Sequence, residues 1–305
     1  MTFTLPQVRI EDSRVHGPLS VFPLFADELV TDVKAAVDYL LSDEAMEAGL
    51  LTIEEVSIQG SVPELLVTNK GDRKILFLEG EGLLGAKQDR ISNTSILIGR
   101  GKTKIPVSCV EQGRWNYKSR QLSSGGRHAP SKIRGELKRS VNRSVKESGE
   151  HHSDQGKVWE GVQKLETSHR LCSPTFALSD TFQALEEPIA EAQEKIRYVD
   201  GATGVAVALG KKVVAIELFD KAETCRKVWD RLLSGFIADA LSEQAEQDLA
   251  GKADVEQVLA AAKDANWDQV DPVGEGEEYR TEVAKDHASA LCFETELVHG
   301  SVIAV

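Results

Sequence analysis

Positive charge is in short supply in this chain. Its 36 lysines and arginines stand against 49 aspartates and glutamates, for a formal net charge of −13 at pH 7 and a pI near 5.1. A mean charge of that sign does not attract nucleic acid or an anionic membrane surface. Long apolar runs are missing as well. No uncharged stretch approaches the roughly 18 residues that a bilayer span needs, and the opening MTFTLPQVRIEDSRVHG has no signal-peptide apolar region. The chain therefore reads as cytoplasmic, with no membrane partner. Its four cysteines, Cys109, Cys172, Cys225 and Cys292, are scattered, with no C-x-x-C pair and no zinc-site spacing. Reduced, mostly buried thiols are expected, and no metal. Aromatics make up only 6%, yet 41% hydrophobic and 28% charged residues over 305 positions are the composition of a globular protein with a sizeable core.

The first third is rich in β-branched and apolar runs. LSVFPLF, LTIEEVSIQ and VPELLVTNKGDRKILFLEG read as strands, with a hairpin turned at Asn69-Lys70-Gly71-Asp72. Val33, Ala36, Val37, Leu40 and Leu41 share one helical face over Thr31 to Ser42, and SDEAMEAGL follows as a short helix. ISNTSILI and KIPVSCVEQ are further strands, and Pro106, which cannot donate to a ladder, suits an edge or a strand start. NYKSRQLSSGGRHAPS is polar and aperiodic and reads as a loop. In KIRGELKRSVNRSVKESG, Ile133, Leu137, Val141 and Val145 recur every four residues, predicting a helix whose exterior carries Lys132, Arg134, Lys138, Arg139 and Arg143. Asp154 is placed to cap the next helix, more helix runs from Asp180 to Tyr198, and TGVAVALGKKVVAIELFD is a hairpin turned at Gly210-Lys211. Asp220 and Glu223 have capping-box spacing before an amphipathic helix, Val255 to Ala265 is helical, and ALCFETELVHGSVIAV turns near His299-Gly300. Hairpins that do not alternate with helices predict an α+β protein of mostly antiparallel sheets packed against amphipathic helices. We expect one domain over 1–305, with a β-rich lobe (1–115), a basic loop and helix (116–152), and a helical and hairpin lobe (153–305).

FLEGEGLLGAKQDR carries Gly80, Gly82 and Gly85 at G-x-G-x-x-G spacing after an apolar run. A dinucleotide fingerprint also needs a helix opening at the last glycine and an acid about 20 residues on. Neither is present, so the glycines predict a sharp turn and no nicotinamide cofactor. The charged residues around them are better candidates: Glu79, Glu81, Lys87, Gln88, Arg90 and Asn93, joined by Glu111, Gln112, Arg114 and Trp115 after the strand IPVSCVEQGRW. In such a set Lys87, Arg90 and Arg114 would hold an anion, Trp115 would stack on a ring, and Glu79, Glu81 or Glu111 would act as acid or base. Cys109 as a nucleophile would need a base such as His128, and a small buried hydrophobe is the better expectation. His151, His152 and Asp154 would need further ligands to hold a metal. From Arg100 to Lys146 thirteen bases face only Glu111 and Glu136. They either serve an anionic ligand or neutralise the acidic remainder.

LEGEGLLGAKQDRISNTSILI, IPVSCVEQGRW, DQGKVWEGV and VVAIELFDKAETCRKVWDRLL resemble a bacterial family named for genomic association with an ADP-ribosylglycohydrolase and a rhodanese-phosphatase superfamily protein. The resemblance runs over most of the chain and is most specific from Leu78 to Trp115. Lys87, Gln88, Arg90, Asn93, Glu111, Gly113, Arg114 and Trp115 match the family pattern, and Gly82 and Asp89 depart from it. What the resemblance implies is a link to NAD or ADP-ribose metabolism. The expectation is a protein that binds or processes a phosphorylated or ADP-ribose-like small molecule, without a cofactor. The competing expectation is a non-catalytic protein whose basic segment, 114–146, contacts an acidic partner or RNA.

Overall fold

The computed structural model describes residues 3–26, 37–243 and 248–305. The described chain opens with β1 (Val8–Ile10), β2 (Arg14–His16) and β3 (Leu19–Ala26). There follow β4 (Tyr39–Leu41), α1 (Ser42–Glu47), β5 (Leu51–Glu55), β6 (Glu64–Asn69), β7 (Lys74–Phe77) and β8 (Glu81–Gly85). Next come β9 (Arg90–Ser92), β10 (Ile96–Ile98), β11 (Gly101–Cys109) and β12 (Leu122–His128), then α2 (Ser131–Ser148), α3 (Gln155–Ser168), α4 (Leu178–Ala184) and α5 (Glu186–Lys195). The chain ends with β13 (Gly204–Leu209), β14 (Lys212–Phe219), α6 (Ala222–Ser242), α7 (Lys252–Asp264), β15 (Asp268–Val270), β16 (Glu277–Val283), β17 (Asp286–Phe293) and β18 (Glu296–Ile303).

These strands form three sheets. The largest runs β1-β3-β13-β14-β18-β17-β16-β15, with β2 on the same edge of β3 as β1. A six-stranded sheet runs β12-β8-β9-β11-β6-β5, and a small one runs β10-β7-β4. Every pairing among the described residues is antiparallel except β4 with β7, so the architecture is α+β as expected. The large sheet is covered on both faces, which explains its unbroken apolar strands. Phe22, Leu24, Ala206 and Ala208 point into one core with Val255 and Ala262 of α7. Their neighbours Leu19, Val21, Val205 and Val207 point into the other, against Leu137 and Val141 of α2 and Val228, Leu232 and Phe236 of α6. A third core, with Ile53, Leu65, Val67, Ile75, Leu83 and Ile105, fills the six-stranded sheet and its neighbours. Where α6 crosses the end of β12, a Cβ on Gly235 would stand 2.5 Å from the Ala129 carbonyl oxygen, so only glycine allows that approach. Among the described residues no helix is long and apolar enough to cross a membrane.

Several local expectations change. β6 and β7 are not a hairpin: β6 pairs β5 and β11, while β7 lies between β10 and β4. The Asn69 side chain organises this departure, accepting from Gly71 N–H at 2.9 Å and donating to the carbonyls of Arg73 and Gly99. The helix expected over Thr31 to Ser42 lies outside the described residues as far as position 36. Its end, Tyr39–Leu41, is strand β4, tied into the fold by the Tyr39 hydroxyl. That hydroxyl donates to Asp220 at 2.5 Å, so Asp220 caps nothing and the capping box with Glu223 does not form. The segment expected as a loop from Asn116 contains β12, whose Leu122 is buried beside Gly85 of β8. The run from Asp180 is two helices, α4 and α5, broken at Leu185. The last hairpin turns at Glu294 and Thr295, both at positive φ, and β18 runs straight through His299 and Gly300. Strands β1 to β3 belong to the C-terminal sheet and β12 to the N-terminal one, so the lobes interleave across the boundaries expected at 115 and 152. Asp154 does cap α3, accepting from Lys157 N–H at 3.2 Å, and the β13–β14 hairpin forms as expected.

Candidate functional site: two charged clusters flanking the glycine-rich strand

The glycine-rich stretch is a turn running into a strand. Gly80 (φ +80°) makes the turn, Gly82 lies inside β8, and Gly85 (φ +123°) ends it. A Cβ on Gly85 would stand 3.0 Å from the Gln121 carbonyl oxygen. The chain then turns through residues 86–89 into β9, so no helix opens after Gly85.

After β8 the charged residues gather around Trp115. Arg114 is fully engaged: its Nε and Nη2 donate to Glu111 at 2.7 and 2.5 Å, and Nη2 also meets Asp89 at 3.2 Å. Its Nη1 donates to the carbonyls of Ala86 and Asn116. Burial would raise the Glu111 carboxyl, but the Arg114 guanidinium outweighs it and holds Glu111 below the usual carboxylate range. Asp89, more deeply buried, is pushed up, while it accepts from Gly85 N–H and from the Ser179 hydroxyl. Gln88 donates to the Glu111 carbonyl at 3.0 Å. Lys87 donates to the Gln59 carbonyl at 2.7 Å, and its ammonium lies 5.1 and 5.2 Å from the ring centres of Trp115 and Tyr117.

Arg90 differs from all of these. Its side chain is fully buried, the Trp115 ring lies over it at 5.7 Å, and one Nη1 reaches the Asp89 carbonyl only at 3.4 Å. Its Nε and Nη2 have no hydrogen-bond partner among the described residues. Burial depresses its pKa, opposed by the nearby Cys109 and Glu55. Burial raises the Cys109 thiol in turn, and Sγ accepts from Glu111 N–H at 3.4 Å. Arg90 borders a cavity of about 370 Å³ lined by Gly82, Leu84, Ile91, Val110, Lys118, Arg127, Leu178 and Phe182.

Glu79 and Glu81 lie elsewhere. Glu79 is buried against α2, 2.7 Å from Lys138 Nζ and 3.6 Å from Arg134 Nη2, and that same Arg134 nitrogen is 2.7 Å from Glu217 of β14. Burial lowers the Lys138 pKa against the pull of Glu79, and Lys138 also donates to Ser289 and Ser301 at 2.6 Å each. Arg134 and Lys138 are thus interior, which corrects the expectation of a wholly basic exterior for α2. Their aliphatic neighbours Ile133, Leu137 and Val141 bury one side of the helix, and Glu79 and Glu217 draw these two cations inward as well. Glu81 pairs with His128 across β8 and β12, accepts from Leu78 N–H at 3.1 Å, and is pushed up to about 7 by burial. His128 is held well below its ordinary value by the same cause. Nε and Nη1 of Arg134 have no hydrogen-bond partner among the described residues.

The remaining candidates bond to neighbouring elements. Asn93 donates to the His151 carbonyl and accepts from Ser108. Gln112 accepts from Gln163 of α3 on the surface. His151 bonds Glu278 at 2.8 Å, His152 faces Glu150, and among the described residues no group of His, Cys, Asp and Glu is placed to hold a metal. Much of the basic segment is internally matched: Arg100 with Asp72, Lys104 with Glu64, Arg120 with Glu54, Lys132 with Glu243, Arg139 with Glu136 and Lys146 with Glu282. Sequence reasoning missed Glu55, Tyr117, Glu217, Glu278 and His299. For Glu217 a signal exists, since a carboxylate amid the apolar run VVAIELF has no water-facing side to occupy.

The sequence pattern of the ARG and Rhodanese-Phosphatase-superfamily-associated Protein domain matches residues 7–303. No curated protein and no solved structure matches the chain.

Proposed function

The chain belongs to the ARG and Rhodanese-Phosphatase-superfamily-associated Protein family, and from that premise we propose that it binds a small phosphorylated or ADP-ribose-like metabolite beside Arg90. The observation that carries this reading is the Arg90 guanidinium, buried at the border of a cavity with two nitrogens unpartnered. An unpaired buried cation costs stability, and a protein retains one where an anion completes it. Arg90 would take the phosphate in a bidentate contact, Lys87 would add a second charge, and the half-exposed Trp115 offers a ring face for stacking. Arg114, Asp89 and Gln88 brace the loop. Of the three carboxylates considered as acid or base, only Glu111 stands in this cluster, and because Arg114 keeps it ionised it would serve as a base. The ion pairs along the basic segment weigh against the competing RNA or acidic-partner reading.

The test is binding of ADP-ribose, AMP, ribose 5-phosphate and orthophosphate, followed by calorimetry and thermal shift. At least one should raise the melting temperature of the wild type, because a ligand specific for the native state must stabilise it. Arg90→Met should abolish the shift, and Trp115→Ala should weaken binding about tenfold, the loss of one stacking contact. If none of the four binds at millimolar concentration, or if Arg90→Met binds as the wild type does, the reading fails.

A further inference from the structure

The interior cluster contains an arrangement that no role in metabolite binding at Arg90 accounts for. Ser95, in the turn between β9 and β10, places Oγ 2.8 Å from Nδ1 of His299 on β18. The other ring nitrogen of His299, Nε2, lies 2.9 Å from Oε2 of Glu217 on β14. Three distant segments thus converge on a chain of hydroxyl, imidazole and carboxylate. We propose that Ser95, His299 and Glu217 form a nucleophilic relay that accepts the acyl group of a small ester.

All three residues are buried, Ser95 at 7%, His299 at 3% and Glu217 at 0% exposure. Three features support chemistry over simple polar satisfaction. The backbone N–H of Glu79 donates to Ser95 Oγ at 3.1 Å. In the neutral imidazole with Nε2–H on Glu217, Nδ1 is the acceptor for the hydroxyl proton. Arg134, 2.7 Å from the other oxygen of Glu217, fixes the carboxylate that orients the imidazole, and the Phe219 ring lies 5.0 Å from that imidazole and limits its tilt. Arg134 also keeps Nε and Nη1 without a hydrogen-bond partner in the same interior, which a fully structural network would have satisfied. A nucleophile bonded to a base that is itself oriented by a third group is the general signature of covalent catalysis.

In the first step Ser95 Oγ attacks the ester carbonyl carbon while its proton passes to His299 Nδ1, and the imidazolium keeps Nε2–H on Glu217. The C–O bond to the leaving alkoxide breaks, and that oxygen takes the proton from Nδ1, releasing an alcohol. Water then repeats the sequence on the acyl-serine, frees the carboxylic acid and returns the proton to Ser95. No oxidant, metal or cofactor enters the balance. Ser95 and His299 are the catalytic residues, and Glu217, acting through His299, is a positioning residue.

The test uses an alkyl fluorophosphonate and 4-nitrophenyl acetate on the full chain. The wild type should be labelled once, on the peptide containing Ser95, and should hydrolyse the ester. Ser95→Ala should remove both, and His299→Gln should slow both by about 10²–10⁴-fold. Glu217→Gln should move the midpoint of the labelling pH profile to lower pH, because the imidazole loses a carboxylate that favours its charged form. Should a variant fail to fold, peptide mapping of the wild type decides alone. An adduct at Ser95 in native protein and none after denaturation supports the relay. Native protein unlabelled at Ser95, or labelled equally fast after His299→Gln in a folded variant, overturns it.

Discussion

The two charged clusters on either side of the glycine-rich strand handle their cations differently. Beside Glu79, two cations and two carboxylates, Lys138 and Arg134 with Glu79 and Glu217, lie within ion-pair distance of one another in a fully buried space. Around Trp115, one guanidinium takes two carboxylates: Arg114 absorbs Glu111 and Asp89, and Arg90, the more deeply buried of the two, bonds neither carboxylate and has the field of Glu55 beside it. The lesson is that formal charge balance does not settle local pairing. An arginine that sequence alone would rank with its neighbour can be scaffold or vacancy, and hydrogen-bond geometry separates the two.

The largest effect should come from the interior. Lys138→Met removes the near partner of Glu79 and leaves a buried carboxylate short of compensation, a change expected to cost about 3–5 kcal/mol in urea unfolding. Adding Glu79→Gln should recover part of that loss, and a double mutant no more stable than Lys138→Met would break the paired description. At the other cluster the two arginines should part. Arg114→Met should cost up to about 3 kcal/mol, the value of charged hydrogen bonds lost from Glu111 and Asp89. Arg90→Met should be neutral or stabilising by about 1 kcal/mol in ligand-free protein, since it removes an unpaired buried charge. Equal losses in both variants would erase the distinction. A further effect is a pH slope. Glu81 titrates near 7 in the folded protein against an ordinary 4.5. A raised carboxyl binds its proton more tightly when folded, so its contribution to stability is greatest below 4.5 and is lost as pH rises through about 7. Glu81→Gln should therefore gain on the wild type by on the order of 2 kcal/mol between about pH 5 and pH 7. A flat difference across that range would place Glu81 in contact with water or an unrecognised partner.

Local pattern carried the fold class and most helices. The four-residue recurrence of Ile133, Leu137, Val141 and Val145 marks α2, and the turn at Gly210-Lys211 marks the β13–β14 hairpin, because periodicity and turn chemistry are properties of neighbours in sequence. The glycine-rich stretch was legible as a turn for the same reason: nothing after Gly85 could open a helix. The block from Lys87 to Trp115 was legible as one charged neighbourhood, and the structure does bring Lys87, Gln88, Arg90, Glu111, Arg114 and Trp115 together.

Which strand pairs with which was not legible. β6 leaves β7 for β11 because the Asn69 side chain ties its end to the carbonyls of Arg73 and Gly99, a choice no local propensity encodes. Nor could the sequence tell Arg134 and Lys138 from Lys132 and Arg139. All four punctuate the same helix, and only the approach of Glu79 from the turn before β8 and of Glu217 from β14 makes two of them interior. The sequence by itself determined the alternation of strands and helices and their apolar faces, because those depend on spacing along the chain. The tertiary structure decided which charges are paired, which are buried and which of them, Arg90 above all, lack a partner, because a buried ion is matched by groups that the fold brings from elsewhere in the chain.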